Sequence, residues 1–228
     1  MNDICFYALL GLAVLSAALF IIWQDEEKPW LSLILKSLSS FLFFILALVN
    51  VFLSGITLFK LFMLIGLVVS IFGDVFLALL EFKPENKSKV IKFGMATFSL
   101  AQIFFILGLN FANNFKLFYI ALAGALVISI LVILGEKLLK LNYGDCKVYV
   151  AIYSFLLGAS FVQSIVLAIS TWSTFSILLL IGFAFFFASD LVLSIIYFGK
   201  SWNRKLYYPN LILYYIGQIL IASALYFV

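Results

Sequence analysis

The stretch MLIGLVVSIFGDVFLALLEF (63–82) lies over LLIGFAFFFASDLVLSIIYF (179–198) at an offset of 116 residues, and this pairing decides the fold. Leu64/Leu180, Ile65/Ile181, Gly66/Gly182, Asp74/Asp190, Leu77/Leu193 and Phe82/Phe198 coincide. At the same offset, without a gap, Lys89/Lys205, Gln102/Gln218 and Ile103/Ile219 coincide as well. Matches of Leu and Ile carry little information in an apolar chain. Matches of Asp and Gln carry more, because only two Asp and three Gln fall within the apolar runs. The chain reads as one membrane domain over 1–228, a duplicated unit with its first copy over about 1–112 and its second over about 113–228.

The composition agrees. Of 228 residues, 66% are hydrophobic and 11% are charged, against roughly 25% charged in a soluble domain, which excludes a water-soluble globule. Apolar runs over 4–23, 31–53, 58–82, 93–111, 117–135, 148–170, 174–198 and 208–227 predict eight transmembrane helices, each near the length of about 20 residues that a bilayer requires. The fold class is therefore all-α, a polytopic membrane helix bundle. Four helices per unit is an even number, so the two repeats are parallel in the membrane. The first run follows Met1-Asn2-Asp3, which carries no Lys or Arg, and reads as a retained helix rather than a signal peptide.

Eleven Lys and Arg fall in the odd-numbered loops, and only Lys60 and Lys116 in the even ones. The positive-inside rule then makes the odd loops cytoplasmic and puts both termini outside. Short loops and the absence of targeting segments fit a bacterial cytoplasmic membrane. The net charge of +4 follows membrane side, so no nucleic-acid partner is expected. The sequon at Asn86–Ser88 falls on the cytoplasmic side and reads as chance. Trp23, Trp30, Trp172, Trp202, Tyr207 and Tyr208 near the span ends form an interfacial belt. Cys5 and Cys146 fall on opposite membrane faces, which excludes a disulfide between them.

The chain has no histidine, which removes the commonest general base and metal ligand. No Cys/Asp cluster suggests a metal, and no metal or cofactor is expected. An ionisable residue deep in a span is costly and is by default a functional hypothesis. Asp74 lies nine residues before Lys83 and Asp190 ten before Lys200, so both sit about 13–15 Å from the cytoplasmic ends of their spans. Gln102 and Gln218 fall at a similar depth on two further helices. Gly66, Ser70, Gly73 and Asp74 make one small, polar stripe, and Gly182, Ser189, Asp190 and Ser194 another, as expected of faces turned to the bundle interior. Lys36, Ser40, Ala47 and Asn50 align in the second span, and Tyr149, Tyr153, Ser160 and Gln163 in the sixth. Tyr214 and Gln218 share a face of the eighth. Plainer readings stand beside this one: the aspartates as a hydrogen-bonded structural pair, Lys36 snorkelling to the surface, and the glutamines as helix–helix glue.

These residues carry a resemblance. A Lys early in the second span (Lys36), Gly73-Asp74 in the third, Tyr153 in the sixth, Ser189-Asp190 in the seventh and Tyr214-Tyr215-x-x-Gln218 in the eighth follow the order and spacing of a known pattern. The chain resembles the YhhN-like lysoplasmalogenase family of eight-span membrane proteins over nearly its full length. It departs in the fourth span, where relatives often read Ala-His-x-x-Tyr and this chain reads Ala101-Gln102-Ile103-Phe104-Phe105.

The resemblance implies hydrolysis of the vinyl ether bond of a lysoplasmalogen to a fatty aldehyde and a glycerophospho-base. The partners would be this lysophospholipid and the membrane lipids around it. Such cleavage needs a proton on the alkene carbon, an oxocarbenium ion, and then water, the charge problem that glycosidases solve with two carboxyls. Asp74 and Asp190 would share these roles, unassigned between them. Gln102, Gln218 and Tyr153 or Tyr214 would hold the ether oxygen and water, and Lys36 would meet the lipid phosphate. Two rival classes remain at this point. Parallel repeats with mid-membrane carboxylates are also seen in small-solute transporters and channels, and Gln102 in place of the histidine suits a non-catalytic lipid-binding protein.

Overall fold

A computed structural model describes residues 2–24, 28–79, 86–200 and 204–228; Phe82, Lys83 and Trp202 lie outside the described residues. Within them the chain is helical throughout, with no strand. In lipid every backbone N–H and C=O must be satisfied within its own segment, and an apolar chain meets that demand as helices. The eight long helices are α1 (Asn2–Trp23), α2 (Pro29–Ser54), α3 (Leu58–Ala78), α4 (Lys87–Ala112), α5 (Phe118–Leu138), α6 (Lys147–Thr171), α7 (Thr174–Phe198) and α8 (Tyr207–Ala224). Single 3₁₀ turns precede α6 and α8.

Local chemistry sets the boundaries. Pro29 opens α2, where its missing N–H is no loss. Thr57 caps α3 by accepting from the Lys60 N–H at 3.3 Å, and Ser173 with Ser176 forms a capping box on α7. Gly55 ends α2 at φ +87°, a conformation that disfavours any side chain. α4 starts six residues before the expected span, because Lys87, Lys89 and Lys92 ride on its first turns rather than in a loop. Lysine stems are long enough for this, and Lys92 pairs with Asp145 at 2.5 Å.

Seven of the helices are long and apolar enough to cross a membrane. The exception is α8, the shortest at 18 residues, which Asn210, Tyr214, Tyr215 and Gln218 make less apolar. It packs against α1, α2 and α7, and most of its length is buried. The first helix belongs to the same core. Phe6 stacks on Tyr226 with ring centroids 4.4 Å apart, and Phe20 meets Tyr215 edge-on.

Neighbouring helices pack pairwise, α1 with α2, α3 with α4, α5 with α6 and α7 with α8, and α2 with α3 as α6 with α7. Small residues allow the closest approaches. A Cβ on Gly66 would come within 2.5 Å of the Phe105 ring, and one on Gly182 within 2.9 Å of Ile221. At the second crossing, backbone meets backbone: a Cβ on Gly217 would sit 2.9 Å from the Gly182 carbonyl oxygen. The outcome is a tight α3–α4 pair and a tight α7–α8 pair, each presenting an aspartate to the centre.

Candidate active site

Asp74, on α3, is 2% exposed and has three partners from two other helices. Ser40 on α2 donates to its Oδ2 at 2.6 Å, and the Tyr214 hydroxyl on α8 donates to the same oxygen at 2.7 Å. Lys36, one turn before Ser40, brings its ammonium to 3.7 Å from Oδ1. The Lys36 side chain is only 12% exposed and turns inward. A cation and two hydroxyls thus surround this one carboxyl.

Asp190, on α7, is attended differently. Its Oδ2 accepts from the Tyr153 hydroxyl on α6 in a very short hydrogen bond. Behind Tyr153 stands Gln102 on α4, whose Oε1 accepts from Ser160 at 2.5 Å and whose amide nitrogen has no hydrogen-bond partner among the described residues. Ser160, Gln102, Tyr153 and Asp190 thus form one polar file across the α4–α6–α7 junction.

Both carboxyls line a single cavity of about 370 Å³, with Lys36, Ser189, Asn210 and Tyr214 among its walls. Asn210 is anchored by its Nδ2, which donates to the Ser189 carbonyl at 2.7 Å. A second, larger cleft of about 670 Å³ adjoins it, apolar except where Tyr153, Ser154, Asp190, Ser194 and Tyr197 reach it. Leu77, Phe98, Asp190, Leu193 and Tyr197 border both. Phe98 sets its ring edge-on to Tyr214 at 6.3 Å, which holds the tyrosine towards Asp74.

Among the residues singled out from the sequence, Asp74, Asp190, Lys36, Tyr153 and Tyr214 come together, with Gln102 one contact behind. Lys36 brings its ammonium to a carboxylate at the wall of the shared cavity. Gln218 does not line either cavity. It lies a full turn beyond Tyr214, fully buried beside the Gly182–Gly217 crossing, and both its amide atoms lack hydrogen-bond partners among the described residues. Ser40 and Asn210 join the site although sequence reasoning gave them no role there. Ser40 was visible as one member of the polar stripe on α2; Asn210, at the start of α8, gave only the signal of its four-residue spacing from Tyr214.

Among the described residues, no three of His, Cys, Asp and Glu gather as metal ligands. Both cysteines are free thiols. Searches of curated proteins and of solved structures return no match to the chain. The family model for the YhhN family matches residues 31–225, and the chain belongs to that family.

Proposed function

We propose that the protein is a lysoplasmalogenase-type hydrolase that cleaves the vinyl ether bond of a lysoplasmalogen within the membrane. The single observation that carries this reading is the cavity shared by two differently attended carboxyls. Asp190, with one phenolic partner, faces an apolar cleft and serves as the proton donor. Asp74, held by an ammonium and two hydroxyls, is the anion.

The steps balance without a cofactor. Asp190 passes its proton to the distal alkene carbon, and the positive charge develops on the carbon attached to oxygen. Asp74 stabilises that oxocarbenium ion and takes a proton from the water that attacks it. The hemiacetal then breaks at the carbon–oxygen bond. Asp190, now a carboxylate, takes the hydroxyl proton as the aldehyde forms, and Asp74 passes the proton it took to the glycerol oxygen, which leaves as an alcohol, so both carboxyls return to their starting states. Tyr153 orients the Asp190 carboxyl, and Gln102 with Ser160 orients Tyr153.

All eight helices cross the membrane in this reading, as two parallel four-helix repeats with both termini outside and the lysine-rich loops in the cytoplasm. The contacts at the 116-residue offset support the duplication. Gly66 meets Phe105 where Gly182 meets Ile221, and Phe59 faces its counterpart Phe175 at 6.1 Å. The assay is aldehyde release by purified protein in detergent, with lysoplasmalogen and its saturated alkyl ether analogue supplied in parallel. Aldehyde is expected from the vinyl ether alone. Its absence from both, with the protein intact, would overturn the reading.

A further inference from the structure

The cleft beside Asp190 is lined almost wholly by apolar side chains, and its chemistry is that of one hydrocarbon chain. Helices α3 to α7 all contribute to it, with Met95, Val132, Val150, Leu157, Phe187 and Phe198 among the apolar walls. Its few polar groups include Tyr153 and Asp190, and Asp190 sits where it meets the polar cavity that holds Lys36 and Asp74. Leu191, 42% exposed, stands on its rim. That residue lies seven positions before the end of α7 at Phe198, or about 10 Å along the helix, so the mouth opens on the flank of the bundle.

The two halves of the bundle differ here. α1 packs on α8 as well as α2, closing the first half with the Phe6–Tyr226 and Phe20–Tyr215 contacts. α5 packs along α6, and only three of its residues, Ala121, Ala125 and Ser129, are buried. The cleft lies where α5 leaves the α4 side of the bundle unfilled: Val132 of α5 faces it from one side, and Ile91, Met95 and Phe98 of α4 from the other.

We propose that this cleft is a lateral binding site for a single long hydrocarbon chain, which enters from the bilayer between helices and ends with its head-proximal carbons at Asp190. The proposal deepens the ether-hydrolase reading, on which it rests for the identity of those carbons. The chain supplies the binding energy, while the polar cavity takes the glycerol end.

The test uses a saturated alkyl glycerophosphocholine with a diazirine on the chain, a probe that resists hydrolysis. The full-length protein in detergent is photolysed with it, and the labelled residues are mapped by mass spectrometry. Labels are expected on Met95, Val132, Val150 or Leu157. Ser194→Trp and Val132→Trp fill the cleft from positions that are only half-buried. Exclusion of two methylenes should lower cleft labelling by about tenfold, while Leu131→Trp, on the exposed face of α5, leaves it unchanged. Labels spread over the outer faces of α5 and α7, indifferent to both cleft variants, would overturn the proposal even if vinyl ether cleavage is observed. Cleft labelling in a protein that releases no aldehyde would support the chain site and defeat the hydrolase reading alone.

Discussion

Replacing Lys36 by Met preserves the length of the stem and removes the charge, and it separates two roles for this residue. Its ammonium lies 3.7 Å from Asp74 Oδ1, worth about 4–5 kcal/mol of Coulomb attraction at an effective dielectric of about 20. Desolvation offsets much of this, but loss of one partner from a buried pair leaves a bare charge and costs about 3–5 kcal/mol. Ser40 and Tyr214 still donate to the carboxylate, so the lower end of that range is expected. For a chain of this size the apparent melting temperature should then fall by at least about 6 °C. Adding Asp74→Asn to Lys36→Met should restore most of the loss, since the orphaned charge is gone. In kinetics, loss of a Lys36 that supports Asp74 lowers kcat at little change in KM, whereas loss of a phosphate contact raises KM with kcat intact. Thermal unfolding in detergent and initial rates of aldehyde release read out both effects. Unchanged melting in Lys36→Met, with only KM raised, would refute the pairing.

Four further outcomes follow. Tyr153→Phe removes the donor to Asp190 observed in the structure and should lower kcat by about two- to tenfold, the range for a hydrogen bond between neutral groups, with the melting temperature nearly kept. Gly217→Ala drives a methyl against the Gly182 carbonyl and the Phe186 N–H, each 2.9 Å away, and should destabilise by about 1–3 kcal/mol. Gly11→Ala, with nothing within 4 Å, should instead stabilise α1 by up to about 1 kcal/mol. In a Cys5→Ser background, cysteines placed at Lys116 and Lys137 should react with a membrane-impermeant thiol reagent from outside and inside respectively; the reverse pattern would invert the topology.

The helices were legible in the sequence wherever apolar runs meet polar breaks. α7 was expected over 174–198 and forms as Thr174–Phe198. The start of α4 was not legible, because a lysine on a helical first turn looks the same in sequence as a lysine in a loop, and burial of its stem depends on neighbours. The aspartates, Tyr153 and Tyr214 stood out because polar groups in a bilayer interior are expensive and therefore informative. What they touch was not legible. Lys36 has two choices of the same length, outward to the surface or inward to a carboxylate, and the α2–α3 packing that sets Asp74 against Ser40, one turn from Lys36, decides between them. Gln218 shows the converse. Its match to Gln102 holds in sequence, yet Gln102 stands behind the Tyr153–Asp190 pair while Gln218 lies by a glycine crossing. The cleft beside Asp190 had no sequence signal, since its walls are the same Leu, Val and Phe that line every helix contact.

The division of labour between the carboxyls is tested most directly by aldehyde release from lysoplasmalogen with Asp190→Asn beside the wild type, both folded by the same melting criterion. An amide fills the same space beside Tyr153 but has no carboxyl proton to deliver. General acid catalysis is worth about 10²–10⁴-fold, so the rate should fall by that factor with KM nearly unchanged. Wild-type turnover by Asp190→Asn would contradict the mechanism.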